Sequence, residues 1–313
     1  MRYSCGTVHP FIGGLLILLS VFLSFAMATG TPEVDDQAPA PAPVPFAGDA
    51  PKADLPQKIS GALYQAVLVP AGTFTVGCTT EQGADCKDRE KPTHKVTISR
   101  PYYLMTSEVT QAFFNSLTGR DFNASDRLHP ANWVPWYEAV RFANVLSEKE
   151  GLETCYLIDI SGTTISRPTV SLKGLDCAGW RLPTNAEWEW AARGAQEAKY
   201  KYSGGDTIDA VGWYSGNSDS RTHPVCKLKT NALGLCDMSG NVWEWVWDVY
   251  TEYTGTAATV PKGDDGSMRF PPRVLRGGSW FNDASDARVS YRKGDHPGRW
   301  RDYYGFRLLR VAK

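Results

Sequence analysis

Residues 274–292, VLRGGSWFNDASDARVSYR, read as the rim of a pocket: paired glycines, a serine, a tryptophan and several arginines stand close together. Nucleophilic chemistry there would need a thiolate, or a hydroxyl beside a base. No cysteine follows Cys236, and the nearest histidines, His223 and His296, lie outside the stretch. Ser279 therefore has no base in its sequence context and is not read as a nucleophile. Arg288 and Arg292 are spaced for one face of a helical turn, and arginine suits the gripping of carboxylates or planar groups. Their alternative role is to brace loops by bonding backbone carbonyls.

A second stretch, DMSGNVWEW (237–245), sets two carboxylates, Asp237 and Glu244, around a glycine turn. Hard cations take several oxygens at once, including backbone carbonyls that such a turn directs inward. Without a cation, Asp237 would cap the turn and Glu244 would pair with an arginine. Trp243, Trp245 and Trp247 alternate with a period of two, which fits rings filling a core behind the strand.

Few regular elements are available to position these residues. YQAVLVPAGTFTVGC contains two β-branched and aromatic runs broken at Pro70-Ala71-Gly72, the pattern of a hairpin. HKVTISRPYYLM alternates as a half-buried strand does. A short helix is expected after Thr110, stopping at Gly119, and a longer one from Pro135 to Gly151, where Trp136, Val140, Ala143 and Leu146 share a face. Thr184 and Glu187 form a Thr-x-x-Glu capping box at the head of a third helix. Capping accounts fully for Glu187, which is not read as a general acid. Beyond residue 196 helical periodicity disappears, yet more than a hundred residues cannot lie structureless in a compact domain. Buried aromatics, disulfides or a metal must hold that half together.

Residues 1–28 carry one charged residue, Arg2, then an apolar run ending in Ala-Met-Ala, the form of a secretory signal peptide. Residues 29–57 hold seven of the twenty prolines, alternating with alanine, and read as an extended tether. All eleven tryptophans fall in the remaining 58–313 domain. Without the signal, 32 basic side chains face 34 acidic ones, a net charge of −2 that argues for neither nucleic acid nor an anionic membrane as partner. Six cysteines then remain: Cys78, Cys86, Cys155, Cys177, Cys226 and Cys236. An even number in an exported chain points to disulfides, with fifteen connectivities open and pairing between sequence neighbours needing the least loop closure. A secreted or periplasmic location follows from the same features.

GWRLPTNAEWEWAARG, NALGLCDMSGNVWEWVWD, RGGSW and GFRLLR, in that order, together with the earlier PAGTFTVG and EVTQAFF, resemble the formylglycine-generating enzyme (sulfatase-modifying factor) family over about residues 62–311. The resemblance implies an α+β fold, a single loop-rich C-type-lectin-like domain with little regular secondary structure. It also implies a cleft lined by Ser279, Trp280, Asn282, Asp283, Arg288 and Arg292, with Arg307 bracing. The side chains of Asp237 and Glu244 with the carbonyls of Gly240 and Val242 would form a structural calcium site.

The family's founding reaction oxidises a sulfatase cysteine to formylglycine with oxygen and a copper ion on two thiols, a ligand set that copper(I) requires. Here the corresponding interval, WFNDASDA, has no thiol and is about three residues shorter, so copper is not expected. Sulfoxide-synthase relatives bind iron through histidines that depend on an added helical domain, and the five histidines of this chain show no such ligand spacing. Other relatives are structural, sugar-recognising or surface-diversified binding proteins. The expected function is an exported, calcium-stabilised module that binds a peptide, glycan or small molecule. An oxidoreductase using a non-thiol metal or cofactor is the alternative.

Overall fold

A computed structural model of the chain describes residues 58–122, 127–164, 167–196, 199–256 and 270–313. The expected signal and tether, 1–57, lie outside the described residues. The domain is mixed helix and sheet with few helices. A five-stranded sheet runs in the order β1 (Lys58–Gly61), β2 (Tyr64–Val69), β5 (Tyr102–Met105), β13 (Leu309–Val311), β8 (Trp180–Arg181). A four-stranded sheet runs β11 (Arg292–Asp295), β10 (Arg273–Arg276), β9 (Trp243–Val249), β12 (Tyr304–Gly305). Two ribbons complete it, β3 (Gly72–Val76) with β4 (His94–Ile98) and β6 (Tyr156–Thr164) with β7 (Arg167–Leu172).

The helices begin where their caps predict. Thr110 Oγ accepts from Phe113 N–H at the head of α1 (Gln111–Thr118), and Gly119 ends it in the left-handed region at φ 71°. Pro135 precedes α2 (Trp136–Lys149). At α3 (Asn185–Ala192) both halves of the Thr184–Glu187 capping box are made. A single further turn, α4 (Ile208–Val211), follows.

The hairpin expected across Pro70 does not form. β2 lies between β1 and β5, whereas β3 pairs with β4. The Trp190 ring is the reason. Its Nε1 donates to the Pro70 carbonyl at 2.8 Å, and a Cβ on Gly72 would come within 2.5 Å of the ring, so the indole occupies the corner and the chain changes sheets there.

β9 is buried along nearly its whole length and separates two apolar clusters, with Trp243 and Trp245 in one and Val246 in the other. In place of long ladders, indole N–H groups tie loops together: Trp136 to the Val246 carbonyl at 2.9 Å, Trp245 to that of Val134 at 2.8 Å. Buried indoles normally find such partners. Three disulfides, Cys78–Cys86, Cys155–Cys177 and Cys226–Cys236, close the neighbouring pairs. Among the described residues no helix is long and apolar enough to cross a membrane.

Candidate functional site

Three motifs far apart in sequence meet across β9. Arg276, which opens RGGSW, stands opposite Glu244 on one side, and Gly305 of GFR pairs with Glu244 on the other. Past β10 the chain turns through Gly277 and Gly278, both left-handed at φ 91° and 74°. A Cβ on Gly278 would sit 2.9 Å from the Ala287 backbone, so only glycine lets the two segments pass this closely.

The turn delivers Ser279 into a closed network. Its Oγ donates to Asn282 Oδ1 at 2.6 Å, and Trp243 Nε1 donates to the same oxygen at 2.8 Å. Asn282 Nδ2 in turn donates to Asp286 Oδ2 at 3.0 Å. Among the described residues no thiol and no imidazole is bonded into this network. Nearby, Lys293 Nζ donates to the Tyr304 hydroxyl at 2.9 Å and lies 5.4 Å from the Trp243 ring centroid. Burial holds its ammonium below the usual lysine range, opposed by the charges of Asp295 and Asp286. Burial, then the charge of Asp286, pushes the Tyr291 phenol up to about 12. Nothing in the sequence marks Lys293; its place beside Trp243 follows only from the pairing of β11 with β10 and of β10 with β9.

Outside this network an aromatic face is exposed. Trp280 is nearly buried and its Nε1 donates to the Asp302 carbonyl at 3.3 Å, but Phe281 is 60% exposed and stacks on Tyr303 at 5.3 Å and 5°. Trp300, 58% exposed, packs on Trp133 at 5.2 Å. Segment 299–304 joins the pairs, since Trp133 N–H and Asn132 Nδ2 donate to the carbonyls of Arg301 and Asp302. Trp133 itself sits at φ 55°, a costly conformation for a bulky side chain and one that surrounding contacts must enforce. Asp283, also exposed, is 3.4 Å from Ser215 Oγ.

The structure thus gathers Ser279, Trp280, Asn282 and Asp283 but takes the two arginines elsewhere. Arg288 is fully buried in a bidentate pair with Glu90 at 2.6 and 2.7 Å, and also donates to the Asp85 carbonyl. Arg292 donates to the Thr251 carbonyl and lies over the rings of Tyr253 and Tyr250. Both take the bracing role, as does Arg307.

The carboxylates expected to hold calcium divide in the same way. Glu244 is heavily used: Oε2 accepts from Arg307 Nε and Trp188 Nε1, both at 2.8 Å, and Oε1 accepts from Arg307 Nη2 at 2.7 Å, three of the roughly four positions a carboxylate offers. Asp237 is less used: Oδ2 accepts from Cys226 N–H at 2.6 Å, while Oδ1 is buried without a partner among the described residues. Glu108, in EVTQAFF, is buried with neither oxygen partnered among the described residues, and burial followed by the charge of Asp237 pushes its carboxyl well up. Cys226 and Cys236 also lie beside Asp237, but their sulfurs are bonded to each other and offer no thiolate.

These motifs and this architecture have known counterparts. The chain is 33% identical over 225 residues to the "Chaperone protein LppX" of Paenibacillus barcinonensis, covering 63% of this chain and 75% of that one. It is 30% identical over 291 residues to the formylglycine-generating enzyme of Streptomyces coelicolor, covering 79% and 89%. Among solved structures, Treponema denticola variable protein 1 superposes with a TM-score of 0.71 at 30% identity, over 82% of this chain and 99% of its own. The family described as "Sulfatase-modifying factor enzyme 1-like domain" matches residues 51–312, and the chain belongs to that family.

Proposed function

We propose that this protein is an exported ligand-binding member of its family, working without thiol redox chemistry. One observation carries the reading. The turn where the enzymes of the family are expected to keep reactive thiols holds instead a self-satisfied Ser279–Asn282–Asp286–Trp243 network, while large rings beside it, Phe281, Trp300 and Trp133, stay exposed. Polar groups that already satisfy one another have little left to offer a reacting substrate. Exposed rings fixed by stacking offer contact area at low entropic cost, the property that favours aromatic residues at recognition surfaces. Its ligand is a peptide, glycan or small molecule held by that face. Three disulfides support an oxidising destination outside the cytosol.

Calcium is proposed as a structural ion. Asp237 would supply an oxygen with the carbonyls of Gly240 and Val242, and Glu108 supports the site by bringing a second unpartnered carboxylate. For a dissociation constant on the order of 10⁻⁴ M and ~1 mM calcium, occupancy would stabilise the fold by about 1.4 kcal/mol. A chelator should then lower the melting temperature, and an unchanged value would exclude the ion. The main reading is tested by incubating the purified chain, with copper and oxygen, with a sulfatase-derived cysteine peptide and following the peptide by mass spectrometry. The cysteine should survive; conversion to the aldehyde would overturn the reading.

A further inference from the structure

Lys293 lies half-buried on β11, at the edge of its sheet. Its side chain reaches Trp243 and Tyr304, which pair with each other in β9 and β12. The ammonium donates to the Tyr304 hydroxyl at 2.9 Å and stands 5.4, 6.0 and 5.2 Å from the ring centroids of Trp243, Tyr303 and Tyr304. Tyr303 in turn stacks on the exposed Phe281 at 5.3 Å, so the cation sits against the aromatic face itself.

That cation has no counter-ion in contact. The carboxylates whose charges act on it, Asp295 and Asp286, are turned to other donors. Asp295 Oδ2 accepts from the Tyr304 hydroxyl at 2.6 Å, and its Oδ1 accepts from His296 N–H at 2.8 Å and pairs with Arg299 at 3.3 Å. Asp286 Oδ2 accepts from Asn282. An ammonium carries three N–H donors; Tyr304 takes one, and among the described residues no acceptor is bonded to the other two. Taking a charge partly out of water is costly unless its donors are satisfied, and here two are left for a group from outside the chain. Arg299 and the exposed Arg301 act on the same ammonium, so the cations here outnumber the two carboxylates.

From this unsatisfied cation we infer that Lys293 anchors a carboxylate of the ligand whose apolar body lies on Phe281 and Tyr303. The two open N–H groups donate to its oxygens in charge-assisted bonds, about twice as strong as neutral ones, while the stacked rings hold the adjoining apolar part. The inference rests on the ligand-binding reading above and narrows it to carboxylate ligands.

The test titrates the full chain with phenylacetate and, separately, with phenylacetamide, its uncharged isostere, at constant ionic strength, following the indole N–H of Trp243 by NMR. Phenylacetate should shift that resonance saturably and bind about tenfold more tightly than the amide. Lys293→Met should remove the difference and Lys293→Arg should keep it, whereas Lys95→Met, at an exposed position of β4, should change nothing. The wild-type comparison needs no variant to fold: no saturable shift with phenylacetate, or equal affinity for the amide, would overturn the assignment. So would a preference for the acid that survives Lys293→Met. If acid and amide bind equally and Phe281→Ala abolishes both, the lysine anchor falls and the aromatic-face reading stands. If the acid is preferred and Phe281→Ala/Trp300→Ala costs nothing, the anchor stands and it is the aromatic-face reading that fails.

Discussion

Arg288 shows how a residue's surroundings decide its role. A sequence reader sees an arginine beside a cleft, but the guanidinium is buried against Glu90, with Ser290 Oγ donating to the same carboxylate at 2.5 Å. Arg288→Ala would strand that carboxylate and should cost about 3–5 kcal/mol in urea denaturation, whereas Trp300→Ala, at an exposed ring, should cost less than about 1 kcal/mol. Titration gives a second prediction. Burial pushes the carboxyls of Asp237 and Asp248 up to about 6, against ~3.9 in an unfolded chain. The folded state then holds the extra protons, so stability falls as pH rises from about 4 to 6, by up to about 3 kcal/mol for each group. Burial also acts upward on Glu90 and Glu187, but the hydrogen bonds and charges of Arg288 and Arg181 more than reverse it. Their contribution is present above ~4.3 and lost as pH falls through their lowered folded values. In chelator the melting temperature should therefore peak near pH 4–5 and decline toward 7, and calcium should remove the part due to Asp237. A flat profile in chelator would contradict these assignments.

At the level of elements, α3 concentrates several duties in one short sequence. Thr184 and Glu187 cap it, Glu187 also holds Arg181 at 2.7 and 2.8 Å, Trp188 reaches Glu244, and Glu189 joins Arg193 and Arg276. Thr184→Ala should cost about 1 kcal/mol by thermal melting, and Glu187→Gln more, because it also weakens the hold on a buried guanidinium. Helices were legible in the sequence because their signals are local: Thr110 and Gly119, Thr184 and Glu187 act within one turn of their own element. Strand pairing was not. Whether β3 returns to β2 or leaves for β4 depends on Trp190, more than a hundred residues away, and no local pattern carries that information. The same limit hid Lys293 and Glu108, whose surroundings come from segments distant in sequence, and let Arg288 and Arg292 pass as cleft residues.

Across the described residues, the loop-rich half is ordered by buried charge pairs and indoles that converge on β9, and exposed aromatic rings come from the segments flanking RGGSW and GFR. Family membership and the mixed, loop-rich fold could be read from four ordered motifs. The absence of a thiol from the turn after Ser279 could be read as well, but the exposed rings beside it depend on how residues 133, 281, 300 and 303 come together in space. The central claim is that this face, and not a reacting group in the turn, is where the protein works. The most direct measurement compares the wild type with the Phe281→Ala/Trp300→Ala double variant on the same peptide and glycan array, with melting temperatures recorded alongside. The wild type should retain a defined class of ligand, and the double variant should lose it at an essentially unchanged melting temperature; equal retention by the two proteins would contradict the claim.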